Sequence, residues 1–161
     1  MIRDVIFPSD TKELNLLIRE YVAWLNIDLS YQDFEGEMEE IQSLFTPPCG
    51  QYTFAIIDSK VAGGVGFKSI TAEIAEVKRL YVRSEYQGLA LGRALMNNLL
   101  KKLTGLGYKK VVLDAVPPTV CAKLLYESMG FYEIEPYFNN PTPNTKFYCF
   151  NLSELHSSPN T

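Results

Sequence analysis

Histidine is almost missing from this chain. Its 161 residues include one, His156, in a polar C-terminal stretch. Zinc sites and Ser-His-Asp chemistry need imidazole in the core, so neither is expected, and no metal is expected. Cysteine is scarce as well. Cys49, Cys121 and Cys149 form no CxxC pair and no disulfide framework, and an odd count of scattered thiols suits a reducing cytoplasm. No apolar run approaches the roughly 18 residues of a membrane span. The opening "MIRDVIFPSD" has neither the apolar stretch nor the small-residue cleavage site of a signal peptide. Basic excess is also absent: the formal net charge is -4, which argues against a general nucleic-acid binder. What remains is 47% hydrophobic and 21% charged, the composition of a soluble globular protein long enough to bury a sizeable core.

Periodicity gives the order of elements. "IRDVIF" (2–7) reads as a short strand, and Pro8-Ser9-Asp10 as a turn and helix start. Leu14, Leu17, Ile18, Tyr21, Val22 and Leu25 then repeat at helical spacing. A second helix is expected over 32–45, with Phe34, Met38, Ile41 and Phe45 on one face and Glu35, Glu37, Glu39 and Glu40 on the other. "YTFAIID" (52–58), "SKVAGGVGF" (59–67) and "AEIAEVKRLYV" (72–82) read as an antiparallel meander. A helix over 89–103 carries Leu95, Leu99 and Leu103 at i, i+4 spacing, and "KKVVLDAV" (109–116) is a buried strand. Thr119 is placed to cap a further helix that ends at Gly130. "FYEIEPYF" (131–138) and "KFYCFNL" (146–152) close the list of strands, around a turn-rich loop at 139–144. The expectation is one α/β domain with a mixed sheet over 1–152, and a frayed tail over 153–161.

The segment "SEYQGLALGRALMNNLL" (84–100) carries the chemistry. Small residues Gly88, Ala90 and Gly92 sit at a helix start, where about four N–H groups lack internal partners. Such a start attracts an anion through its amides and dipole, and Arg93 can add a charge-assisted contact. The same small residues also suit close packing of the helix on the sheet. A Walker A loop is excluded because no Gly-Lys-Ser/Thr follows, and GxGxxG is absent.

Together, "EVKRLYVRSEYQGLALGRAL" and "AKLLYESMGFYEI" resemble the GNAT superfamily of N-acetyltransferases. The motifs cover about 73–134. The tail "GFYEIEPYFNNPTPNTKFYCFNL" resembles that of small stand-alone bacterial acetyltransferases. The resemblance implies a GNAT-like acyl-CoA N-acyltransferase fold, a mostly antiparallel sheet of about six or seven strands with about four helices. It implies acetyl-CoA as co-substrate, with its pyrophosphate held by Gln87, Gly88, Leu89, Ala90, Leu91, Gly92 and Arg93. Ala90 departs from the family glycine. If that position needs positive φ, alanine costs something; a helical conformation, in which alanine is harmless, is expected. The resemblance further assigns the backbones of Leu80, Tyr81 and Val82 to the pantetheine arm and the acetyl carbonyl, on a strand that splays from its parallel neighbour.

Tyr126 matches the family tyrosine that protonates the leaving thiolate. Val120, Cys121, Leu124 and Leu125 read as the buried stripe of its helix, with Tyr126 at the edge. A phenol pKa near 10 suits that donation. Glu76 matches the family base, with Glu73 as runner-up. Its place six residues before Val82 puts the two on one strand face if alternation is unbroken, and an ion pair with Lys78 or Arg79 is the plainer alternative. Tyr31, Asp33, Glu35, Glu37 and the loop 136–147 are expected to wall the acceptor side. The reading is direct transfer, without a covalent enzyme intermediate, to a primary amine of a small molecule, by a monomer or homodimer. A non-catalytic acyl-CoA-binding or regulatory module, and a protein amine as acceptor, are the alternatives.

Overall fold

The computed structural model describes residues 1–29 and 33–153. Seven strands form one sheet in the order β1-β2-β3-β4-β5-β7-β6. The strands are β1 (Ile2–Asp4), β2 (Gly50–Ile57), β3 (Lys60–Ser69), β4 (Ile74–Val82), β5 (Lys110–Ala115), β6 (Tyr132–Ile134) and β7 (Lys146–Asn151). Every neighbouring pair is antiparallel except β4 and β5. The helices are α1 (Thr11–Leu25), α2 (Phe34–Glu39), α3 (Ile41–Leu44), α4 (Leu91–Gly105) and α5 (Val120–Met129). This is the mixed α/β fold expected from the sequence.

β1 stops sooner than its apolar run. Asp10 Oδ2 accepts the Ile6 N–H at 2.7 Å and the Arg3 guanidinium at 2.7 Å, folding the chain over into α1. The expected helix over 32–45 is two short ones, broken at Glu40 (φ −109°, ψ 23°). Gly36 and a run of like charges weaken it, and the break lets Met38, Ile41 and Phe45 all reach the core. Residues 30–32, including the expected acceptor-side Tyr31, lie outside the described residues, as do residues 154–161 of the expected tail.

Helices cover both faces of the sheet. On one, Leu95, Met96, Leu99, Leu100 and Leu103 of α4 pack on Val65, Phe67, Ala75, Val77, Val111 and Leu113. On the other, Leu14, Leu17 and Ile18 of α1 pack with Met38, Ile41, Tyr52 and Phe54. α5 does not bury the stripe expected of it. Val120 and Leu124 are 54% and 62% exposed and Cys121 is exposed, while Tyr126 is only 6% exposed. The helix is apolar on two sides. The side that meets the sheet is Ala122, Leu125, Tyr126 and Met129.

Candidate functional site

The site begins with a fault in β4. Between Gly66↔Lys78 and Gly64↔Tyr81 the register shifts, so β4 holds one residue more than β3. Arg79 takes the strain at φ 57°. A one-residue bulge inverts side-chain alternation. Ala75 and Val77 face α4 before it, and Leu80 and Val82 face α4 after it. Glu76 and Val82 therefore lie on opposite faces, against the expectation from unbroken alternation. Tyr52 braces the bulge, its buried hydroxyl donating to Arg79 O at 2.8 Å. Its ring crosses β3 where side chains are missing: a Cβ on Gly64 would lie 2.4 Å from Tyr52 Cε1, and one on Gly66 2.6 Å from Tyr52 Cδ2. The bulged Arg79 side chain lies against Glu37, at 3.1 Å.

Beyond the first turn of pairing, β4 and β5 part. Their ladder runs only from Ile74↔Lys110 to Glu76↔Val112, so β4 from Val77 onward has no partner on that side. Arg83 N–H donates to Ala62 O at 2.8 Å, on the β3 side. Successive strand residues aim their peptide groups at opposite neighbours. The Val82 peptide groups thus face the opening, where Val82 O accepts the Gln87 amide at 3.3 Å. The parted strands leave a cleft of about 40 Å³ lined by Lys78, Leu80, Asp114 and Tyr126, among others. Burial pushes the Tyr126 phenol far above its ordinary range, with Tyr21 and Asp114 adding to the shift, and its hydroxyl has no hydrogen-bond partner among the described residues.

The loop after β4 passes through a 3-10 turn (Ser84–Tyr86) into α4. Ala90 caps α4 at φ 58°, ψ 27°, the left-handed region, not the helical conformation expected from the sequence. Gly88 is also left-handed, at φ 86°. The first amide of the helix with a backbone acceptor is that of Ala94, to Ala90 O at 3.1 Å. The amides of residues 88–93 have none among the described residues. Gly92 serves packing as well, since its Cβ would lie 3.3 Å from Leu125 Cδ2. Arg93, at the same helix start, holds Ser128 Oγ at 2.7 Å.

Glu76 is placed apart from the cleft. It lines a larger pocket of about 810 Å³ with Asp33, Glu37, Glu39, Glu40, Lys68 and Tyr137. It is 7% exposed. Tyr137 Oη donates to its Oε2 at 2.6 Å, and Lys78 Nζ lies 3.7 Å from its Oε1. Burial, then the Glu76 charge, push the Tyr137 phenol up. Lys78 lines both pocket and cleft. Glu73, the runner-up, sits with Lys109 at the exposed end of the strand, 3.5 Å away. Glu35 pairs with Arg19 and does not line the pocket.

Lys78 is expected from the sequence only as an ion-pair partner of Glu76, and Tyr137 and Asn140 only as part of the acceptor-side loop 136–147; Asp114 is missed altogether. Asp114 is a carboxylate inside the apolar run "KKVVLDAV", a signal that was there to be read. Its carboxyl is raised chiefly by burial, opposed by the Lys78 charge.

The family model described as "Acetyltransferase (GNAT) family" matches residues 15–131. The chain belongs to the GNAT family. An uncharacterised N-acetyltransferase of Schizosaccharomyces pombe is 32% identical over 159 residues, covering 93% of each chain. A GNAT-family acetyltransferase from Staphylococcus aureus superposes with TM-score 0.78 at 21% identity, covering 94% of this chain and 99% of that one. The PaiA N-acetyltransferase of Thermoplasma acidophilum, solved with coenzyme A, superposes with TM-score 0.71 at 19% identity, covering 94% and 98%. This GNAT protein is an acetyl-CoA-dependent acetyltransferase whose seven-stranded sheet has the fold of those structures. Among the described residues no helix is long and apolar enough to cross a membrane.

Proposed function

We propose that this GNAT enzyme transfers the acetyl group of acetyl-CoA directly to a primary amine of a small molecule. The observation that carries the reading is continuity. Unpartnered amides, the open edge of β4, the Tyr126 hydroxyl and a carboxylate-lined pocket follow one another along the parting of β4 and β5. These residues fit acetyl-CoA. The row of amides at 88–93 suits a pyrophosphate at a helix start, and the freed peptide groups at Leu80 and Val82 suit an amide-bearing arm, while those of Tyr81, expected from the resemblance to join them, face Gly64 of β3.

When bound, acetyl-CoA supplies the activated acetyl carbonyl. The Val82 N–H, aimed into the opening, stabilises charge developing on an acyl oxygen. Tyr126 holds the proton destined for the departing sulfur. Its burial keeps the phenol protonated at all physiological pH. Glu76 meets the acceptor in the pocket and takes the proton an ammonium must lose before it can attack. The four carboxylates that line the pocket besides Glu76 favour an acceptor that arrives as a cation. Free-thiol release from acetyl-CoA with a panel of polyamines, amino acids, aminoglycosides and lysine peptides tests the reading. Turnover with a small amine is expected. Coenzyme A binding without turnover on any amine would support a non-catalytic binding module, and turnover on peptides alone would make the acceptor a protein amine.

A further inference from the structure

An ammonium loses two protons in becoming an amide. The C–N bond forms and the C–S bond breaks, one proton finishes on the departing sulfur, and the other goes to solvent. Glu76 is placed for only one of these. It opens on the pocket, and its carboxylate is engaged by Tyr137 at 2.6 Å and Lys78 at 3.7 Å. The cleft, where the second proton must travel, is lined by a different carboxylate, Asp114. Asn140 Nδ2 donates to Asp114 Oδ2 at 2.9 Å, which fixes the side chain and leaves Oδ1 without another residue's donor among the described residues.

We propose that Asp114 is a second catalytic carboxylate: it accepts the proton released from nitrogen as the C–N bond forms and returns it, through Tyr126, to the departing sulfur. Asp114 and Tyr126 line the same cleft, whose volume of about 40 Å³ is that of about one water. Tyr126 cannot part with its proton alone, because burial makes the phenolate costly. It can pass a proton on when it receives one in the same event, and Asp114 is the carboxyl in the cleft able to supply it. Burial also lifts the Asp114 carboxyl toward the range useful to a base. The groups that face it are Lys78 and Glu76 from β4, Asn140 and Tyr137 from the β6–β7 connection, Tyr126 from α5, and Tyr21 from α1 across the cleft. The assignment divides the labour: pocket-side Glu76 clears the first proton to solvent, cleft-side Asp114 handles the second.

The proposal rests on the acetyl-transfer reading, and kinetics on the whole chain separate the two. With an amine that turns over, Asp114→Asn is expected to lower kcat about 100-fold, the lower end for loss of a general base. The KM for amine and the binding of acetyl-CoA should hold. Asp114→Glu should recover part of the rate. Glu76→Gln should instead lose most at low pH, in kcat/KM for the amine, with the loss shrinking as pH rises toward the acceptor's own pKa. An Asp114→Asn variant within about threefold of wild-type kcat would overturn the proposal and leave the acetyl-transfer reading standing. So would a loss of rate matched by a loss of acetyl-CoA binding, which marks a structural role. No turnover by the wild type on any amine would overturn both.

Discussion

Replacing Ala90 with glycine should stabilise this protein, against the usual direction for an Ala→Gly change. Ala90 is exposed and sits at φ 58°, ψ 27°, where its Cβ crowds the following carbonyl. For an L-residue that conformation costs about 1–2 kcal/mol. Glycine removes the cost but makes the unfolded chain freer, which takes back about 0.4–1 kcal/mol. Being exposed, the methyl surrenders little burial. The net gain is about 0.5–1 kcal/mol, and in a chain of this size that is a rise in Tm of about 1–4 °C. Gly88, at φ 86°, is the control: Gly88→Ala should lower Tm by a similar amount. Calorimetric melting with and without saturating coenzyme A gives both answers. Because glycine preserves the left-handed turn that leaves amides 88–93 unpaired, affinity for coenzyme A should hold in Ala90→Gly. A lower Tm for that variant would refute the left-handed cap and the geometry of the anion cradle built on it.

The bulge in β4 should be as sensitive as the loop. Gly64→Ala puts a Cβ 2.4 Å from Tyr52 Cε1 and 2.7 Å from Thr53 O. It should cost about 1–3 kcal/mol in urea unfolding and raise the KM for acetyl-CoA as Tyr52 is pushed from Arg79 O. An unchanged midpoint would contradict the brace. Asp114 has the opposite stability signature. Its folded-state pKa is raised, so the fold binds its proton more tightly than the unfolded chain does. Stability is fullest below the unfolded value, near 3.9, and is lost as pH rises through the folded value. Asp114→Asn should therefore melt higher than wild type at pH 7, with the gap closing toward pH 3. A variant less stable at neutral pH would show that the carboxylate is held for structure.

Much of this fold was legible because it rests on local rules. Leu95, Leu99 and Leu103 declare α4 by their spacing, and the alternation of 52–58 and 59–67 declares the β2–β3 hairpin. The site was less legible because its decisive features depend on distant contacts. The bulge at Arg79 exists through Tyr52 and the glycines of β3, so strand alternation alone put Glu76 and Val82 on one face. Ala90 resembles a helix residue, and only the turn made with Gly88 sets its φ. α5 is apolar on two sides, and the sheet alone selects the side bearing Tyr126. Asp114, Lys78, Glu76 and Tyr137 come from three parts of the chain and meet only where β4 and β5 part.

The central claim is that acetyl transfer takes place in the opening between β4 and β5, with Tyr126 as the proton donor to sulfur. It is tested most directly by single-turnover thiol release from acetyl-CoA in Tyr126→Phe, compared with wild type at saturating amine. The account predicts a fall of about 100-fold or more, with acetyl-CoA binding retained, since the ring still fills its place beside Phe131 and Tyr148. A wild-type rate in the phenylalanine variant would contradict it.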